Sequence, residues 1–340
     1  MSRLAVVARD ARTRLTIARA SGQATIDKER VIERLRVVEN NLMPLVVVAA
    51  VAGLLMPSVG IALTSAVTPL LALLMLCVSL TFNVATLKAV LARPGVQALA
   101  TGLVYGPMSL AGWAIGRLVF GTTPLGLGFA LVGVLPTDVS SPLLVLIARG
   151  NVALATVLNA VNTALAPVVV PVLFLAYTGI DLDVPVLPMV GELALVVLVP
   201  TIVGVTIRTW KPVRIASTEP ALSATASAAY LLLVVAVVGP NATAILEQPA
   251  TMMAVAAAAV GLNIVGYLVG WSARPLLPDR ADRAAMLFTV SKKEFSIAAF
   301  IVFASGLPAE VALPAVVYAV VQMVTSPVVA RVLARGAAAR

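Results

Sequence analysis

Between residues 42 and 333 the sequence runs as long apolar stretches of Val, Leu and Ala, separated by short segments that gather most of the Lys, Arg, Asp and Glu. These stretches predict helices over 42–59, 64–84, 95–119, 123–147, 152–178, 184–207, 218–239, 249–272, 283–304 and 309–333. Each is long enough to cross a hydrocarbon core, which takes ~20 apolar residues at about 1.5 Å of rise per residue. Strands of a membrane barrel would alternate apolar and polar positions, and these stretches do not. Residues 1–41 differ in character: they are polar and rich in Arg, with Ile26, Val31, Ile32 and Leu35 at roughly helical spacing. They predict a cytoplasmic N-terminal extension ending in an interfacial helix. Arg9, Asp10, Arg12, Arg14 and Arg19 interrupt the apolar core that a signal peptide requires, so no cleavage is expected.

Two spans break the pattern at bilayer depth. The fourth reads Val134-Leu-Pro136-Thr137-Asp138-Val-Ser140-Ser141-Pro142, a carboxylate between two prolines that lack backbone donors. The ninth carries Thr289, Ser291, Lys292, Lys293 and Glu294 at its centre, flanked by apolar runs at 284–290 and 297–304 that are each too short to span alone. A Lys or Asp at helix centre costs roughly 2.5–3.5 kcal/mol, while each Leu, Ile, Val or Phe returns only about 0.3–0.6. The charges outweigh the flanks, so this segment is expected to face protein or water, with its charges paired. Ionisable residues within a membrane are functional-site candidates by default.

Polar positions elsewhere extend the same picture. Thr156, Asn159, Asn162 and Thr163 of the fifth span fall within about 120° of one another on a helix, and Tyr318, Gln322, Thr325 and Ser326 of the tenth share a similar arc. Two polar stripes therefore face the protein interior, where interhelical hydrogen bonding and substrate contact are both open to them. With the two breaks they outline one polar cavity. Glu192 in the sixth span has no comparable setting and receives no role.

Composition agrees with a membrane class: 61% hydrophobic residues, 11% charged and a mean hydropathy of +1.05 leave too little polar surface to cover a soluble globule. The formal charge of +9 does not point to nucleic acid, because the basic residues lie in connecting segments and not on one aromatic-interleaved face. With the N-terminus inside, the cytoplasmic segments hold Lys88, Arg93, Arg149, Arg208, Lys211, Arg214, Arg274, Arg280, Arg283, Arg331, Arg335 and Arg340. Arg117 alone falls near the outside, with Asp181, Asp183, Glu247 and Glu310. The positive-inside rule thus places both termini in the cytoplasm, and the inner (plasma) membrane is the expected location. Cys77 is the only cysteine and no His is present, which excludes disulfide frameworks and the common thiolate or imidazole metal sites.

The halves carry a weak repeat. Ala148-Arg149-Gly150 leads to Asn162 and Pro167, and Ala304-Ser305-Gly306 leads to Gln322 and Pro327, an amide preceding the proline by five positions each time. Five spans per half is an odd number, so the repeat is inverted, with a first unit over 42–178 and a second over 184–334. Inverted repeats with sites at their interface are a recurrent plan of secondary transporters.

Through Ser141-Pro-Leu-Leu-Val-Leu-Ile-Ala148-Arg149-Gly150-Asn151-Val-Ala-Leu154 and the following Leu165-Ala-Pro167, the chain resembles the bile acid:sodium symporter superfamily over about 42–333. The resemblance implies an all-α polytopic membrane protein, ten transmembrane helices in two inverted five-helix repeats with the broken fourth and ninth helices crossing. It also implies transport of organic anions, usually with sodium, by elevator-like alternating access. The family's sodium ligands are a Ser-Asn pair at the fourth-helix break, hydroxyls on the fifth helix, and Glu with Gln on the ninth. Here Ser141 is retained, but the other positions are Pro142, Ala155, Asn159, Thr289, Lys293 and Glu294. Two sodium ions beside two ammonium groups would be repelled by several kcal/mol at an effective dielectric of about 20. The usual sodium sites are therefore expected to be absent or reduced, with Ser141, Asn159 and Glu294 the ligands if sodium binds.

The expected function is secondary-active transport of a small organic anion, with no cofactor and sodium or a proton as the coupling ion. The site is expected from Thr137, Asp138, Ser140, Ser141, Asn159, Asn162, Thr289, Ser291, Lys292, Lys293, Glu294 and Gln322. Asp138 and Glu294 would pair with or titrate against Lys292 and Lys293, while Ser140, Ser141, Asn159 and Gln322 donate hydrogen bonds. A lysine can stand in for a bound cation, exchange a proton, or bind a substrate carboxylate, and the sequence leaves these roles open. An arsenite carrier of the same superfamily is the first alternative, weakened because 136–142 holds no Cys. A channel or an intramembrane enzyme is the alternative of another class, with no His or nucleophile and base pair to favour the enzyme.

Overall fold

The computed structural model of the chain describes residues 42–81, 93–179 and 186–338. The expected N-terminal extension, and Lys88, Asp181, Asp183 and Arg340, lie outside the described residues. In chain order the helices are α1 (Leu42–Leu55), α2 (Pro57–Thr64), α3 (Val67–Ser79), α4 (Pro94–Tyr105), α5 (Pro107–Phe120), α6 (Pro124–Val134), α7 (Ser141–Ile147), α8 (Val152–Thr178), α9 (Val186–Leu193), α10 (Val199–Trp210), α11 (Pro212–Ala216), α12 (Glu219–Val238), α13 (Ala242–Glu247), α14 (Pro249–Ser272), α15 (Arg280–Ser291), α16 (Phe295–Ala304) and α17 (Leu313–Ala338). No strand occurs among the described residues.

Proline sets many of these starts. Pro57, Pro94, Pro107, Pro124, Pro212 and Pro249 each occupy the first position of a helix, where a missing N–H costs nothing because that donor has no intrahelical partner. Side chains complete other ends: Asn151 Oδ1 accepts from Leu154 N at 3.0 Å, and Asp279 Oδ1 from Ala281 N at 2.8 Å. Arg93 Nη2 and Asn151 Nδ2 both donate to Asp282, at 2.7 and 2.8 Å, tying together the starts of α4, α8 and α15.

Among the described residues six helices, counting α4 with α5 and α9 with α10 as continuous, are long and apolar enough to cross a membrane, and a seventh is added if α1 and α2 form one bent span. That bend is a departure from the single helix expected over 42–59. The axis turns by 102° at Met56, where Pro57 opens a new helix. Likewise the expected 95–119 helix is divided at Gly106, before Pro107. A π-helical turn, Ala194–Leu198, joins α9 to α10 just ahead of Pro200, whose missing N–H disturbs the regular ladder there.

Packing gathers α1, α2, α3, α10 and α12 into one group and α4 to α8 with α14, α15 and α17 into another. The groups meet where α3 and α12 face α16 and α17. Within the second group, glycines permit close backbone approach: a Cβ on Gly112 of α5 would lie 2.5 Å from Gly133 Cα of α6, and one on Gly270 of α14 would lie 2.8 Å from Leu287 Cα of α15.

Candidate functional site

The two broken spans meet in the interior. Leu135, before Pro136, takes an extended conformation and ends α6, and α7 begins only at Ser141. On the other side α15 ends at Ser291, Lys292 and Glu294 are extended, and α16 begins at Phe295. Glu294 N donates to Pro136 O at 3.0 Å and Asp138 N donates to Lys292 O at 3.3 Å. This is the widely spaced pair of an antiparallel ladder, with Thr137 opposite Lys293. Each break thereby satisfies main-chain groups that the other would leave without partners in a water-poor interior.

The side chains divide the charges unevenly. Lys292 Nζ forms an ion pair with Asp138 Oδ1 at 3.0 Å, both side chains 1% exposed, and also donates to Ser140 Oγ. Ser140 in turn donates to Asp138 Oδ1 through its hydroxyl and, at 2.8 Å, through its backbone N–H. Gln322 Nε2 donates to Asp138 Oδ2 and to Lys293 O, both at 3.0 Å, while its Oε1 accepts from Lys293 N at 2.9 Å. Gln322 thus stitches α17 to both breaks.

Lys293 does not pair with a carboxylate. Its ammonium donates to three main-chain oxygens: Val104 O at 3.1 Å, Gly133 O at 2.8 Å and Leu135 O at 2.8 Å. Val104 lies in the last turn of α4, Gly133 in the last turn of α6, and Leu135 caps α6. Carbonyls at helix C-termini lack intrahelical donors and carry the negative end of the helix dipole, so two such ends converge on one ammonium. All three of its N–H donors are used. Glu294 also departs from the expected pairing: Oε2 accepts from Val139 N at 3.1 Å and Oε1 from Ser296 Oγ at 2.6 Å, so the carboxylate caps α16.

The expected site residues occupy this region in different ways. Thr137 Oγ1 donates to Thr289 O at 2.7 Å and accepts from Asn162 Nδ2 at 3.3 Å; Asn159 Nδ2 reaches Asp138 O at 3.4 Å. The hydroxyls of Ser141, Thr289 and Ser291 are buried without a partner. Ser141 was expected to donate and does not. Sequence reasoning missed several participants. Tyr105 OH donates to Asn162 O at 2.6 Å, Thr101 Oγ1 to Asn162 Oδ1 at 2.8 Å, and Asn263 Nδ2 to Ser291 O at 3.3 Å. Asn263, a lone amide in an apolar span, carried a readable signal; the three carbonyls around Lys293 carried none, since any residue supplies a carbonyl.

Beside the crossing lies a cavity of about 580 Å³, bounded by Leu74, Cys77 and Thr81 of the α3 end, Asp138, Ser140 and Leu143 of the first break and α7, Glu219, Ser227 and Tyr230 of α12, and Met323 of α17. It therefore sits where the two helix groups meet, and its volume is that of an ordinary small-molecule pocket. No group of His, Cys, Asp and Glu suited to a metal ion occurs among the described residues.

Comparison with known proteins adds an independent line. Residues 24–335 match the family described as "SBF-like CPA transporter family (DUF4137)". The chain is 26% identical over 246 residues to an uncharacterized protein, YbaS, of Bacillus subtilis (strain 168), spanning 70% of this chain and 79% of that one. It is 25% identical over 276 residues to the uncharacterized sodium-dependent transporter YocS of the same organism, spanning 81% and 85%. The probable chloroplastic sodium/metabolite cotransporter BASS1 of Arabidopsis thaliana is 26% identical over 201 residues, 59% of this chain and 49% of that protein.

Proposed function

The chain belongs to the SBF-like CPA transporter family, within the bile acid:sodium symporter superfamily that its sequence resembles, and on that premise we propose that it is a sodium-independent secondary carrier of a small organic solute. Membership makes it a multi-pass membrane transporter and not an enzyme. Its bacterial relatives suit a plasma membrane.

The observation that carries the sodium-free reading is the cage around Lys293. Three carbonyls from the C-termini of α4 and α6 surround its ammonium much as carbonyls surround a bound monovalent cation. A covalently attached cation cannot leave with the solute, so the position does not serve as a sodium site. The same geometry weighs between the roles a lysine can play. Lys292 is committed to Asp138 and Ser140, and Lys293 to main-chain oxygens, so neither is free to meet a substrate carboxylate.

For the architecture we infer ten crossings in two inverted units, 42–178 and 184–334, with both termini cytoplasmic. Support comes from a correspondence across the halves: Asn162 of α8 bonds Thr137 in the break of its own half, and Gln322 of α17 bonds Lys293 in the break of its own half. The solute would reach Asp138 and Ser140 through the cavity between the helix groups.

Uptake of a panel of labelled organic solutes into proteoliposomes, in sodium, in choline and under an imposed pH gradient, tests this reading. Saturable uptake of equal rate in sodium and choline is expected. Sodium-stimulated uptake by the wild-type chain would overturn it, and unsaturable flux at channel-like rates would remove the carrier assignment.

A further inference from the structure

Resting on the carrier reading, we propose that Tyr230 anchors the solute in the cavity beside the crossing, its hydroxyl donating to an acceptor oxygen, carboxylate or carbonyl, on an otherwise apolar body. Charge does not single out a ligand there. The two carboxylates of the lining are both ion-paired, Asp138 with Lys292 at 3.0 Å and Glu219 with Arg208 at 2.9 Å. The lining is thereby balanced, and recognition falls to hydrogen bonds and shape. Among the described residues, several buried side-chain polar atoms lack a partner, and of these only the Tyr230 hydroxyl belongs to a residue that lines the cavity.

The hydroxyl is held in place. Tyr230 is 4% exposed, and its ring stands edge-on to Phe295 with centroids 4.5 Å apart. Phe295 opens α16 directly after the second break, so this contact sets Tyr230 of α12 against the crossing from the facing helix group. The site residues expected from sequence all lie in the breaks or in α7, α8, α15 and α17, so Tyr230 gives the cavity a polar contact from its other side. A buried O–H without an acceptor costs folding free energy, which a ligand oxygen recovers and a ligand with donors alone recovers less well. Ser227, three positions earlier on α12, lines the same space and extends this polar face. Leu74, Leu143 and Met323 supply apolar surface for the body of the solute.

The test compares three probes that share a phenyl body. 3-Phenylpropionate and 3-phenylpropanamide bring an acceptor oxygen, as carboxylate or carbonyl, whereas 3-phenylpropylammonium brings donors alone. Binding is read as the concentration-dependent rise in melting temperature of the purified full chain in detergent, and transport as uptake of the same labelled compounds into proteoliposomes. Tyr230→Phe keeps the ring on Phe295 and, without ligand, is expected to melt at or above the wild-type temperature. It is expected to weaken 3-phenylpropionate about tenfold and 3-phenylpropanamide about threefold, the loss of one hydrogen bond to a charged or a neutral acceptor, and to leave any affinity for the ammonium unchanged. The KM for uptake of an oxygen-bearing probe is expected to rise by the same factor. A ligand-free variant that melts below wild type overturns the proposal, because the hydroxyl would then be structural. Failure of both oxygen-bearing probes to bind the wild-type chain also overturns it. So does an affinity that the variant leaves unchanged, the result expected if water satisfies the hydroxyl, or an equal loss for the ammonium. Saturable uptake with unchanged KM would refute the anchor while leaving the carrier intact. Tyr230-dependent binding without saturable flux of any probe would refute the carrier and leave the anchor standing.

Discussion

At the scale of single residues the site separates two lysines that are adjacent in sequence and unlike in role. Lys292 belongs to a buried ion pair, and removing one member of such a pair leaves an unpaired charge that costs about 3–5 kcal/mol. Lys292→Met and Asp138→Leu are each expected to lower the melting temperature strongly, and the double variant Lys292→Met/Asp138→Leu to recover much of the loss. Additive losses in that cycle would mean that the pair is not coupled. Lys293→Ala instead leaves three buried carbonyls without a donor, each worth roughly 1–3 kcal/mol. Added methylammonium is expected to restore the melting temperature of this variant and to leave Lys292→Met unaffected. Failure of rescue would count against a cage that recognises an ammonium. Residue types in an apolar window revealed where the charges lie, but not their pairing. Lys293 with carbonyls and Glu294 as a helix cap follow from local backbone direction, on which residue identity is silent.

At the scale of elements, the breaks were legible because Pro136, Pro142 and three consecutive charged residues are incompatible with lipid-facing helix. The bend at Met56 and the division at Gly106 were not, although each precedes a proline, since a proline within an apolar run reads equally as a kink or as a tolerated interior residue such as Pro167 of α8. The mutual support of the breaks rests on tight helix approach around Gly133, whose carbonyl holds Lys293. A Cβ there would stand 2.7 Å from Ser109 O of α5, so Gly133→Ala is expected to cost about 1–3 kcal/mol by forcing α5 and α6 apart. Gly261→Ala in α14, where an added Cβ meets nothing within 4 Å, serves as the control and is expected to be neutral or slightly stabilising. Melting temperatures of the two variants check this, and equal effects would contradict the packing argument.

At the scale of the molecule, hydropathy and the distribution of basic residues led to ten crossings with both termini inside, and the family match agrees with a transporter over most of the chain. Chemical labelling tests the orientation: on a Cys77→Ser background, Arg214→Cys is expected to react from the cytoplasmic side and Arg117→Cys from the outside, the reverse pattern refuting it. The central claim is narrower, that Lys293 fills the place of a mobile cation. A sodium titration of the purified wild-type chain, read by melting temperature with ionic strength held constant by choline, addresses it most directly. A sodium site at one hundred times its Kd would add about 2.7 kcal/mol of stability. The wild-type chain is predicted to show no sodium-specific rise, whereas a saturable rise with sodium and not with choline would contradict the account.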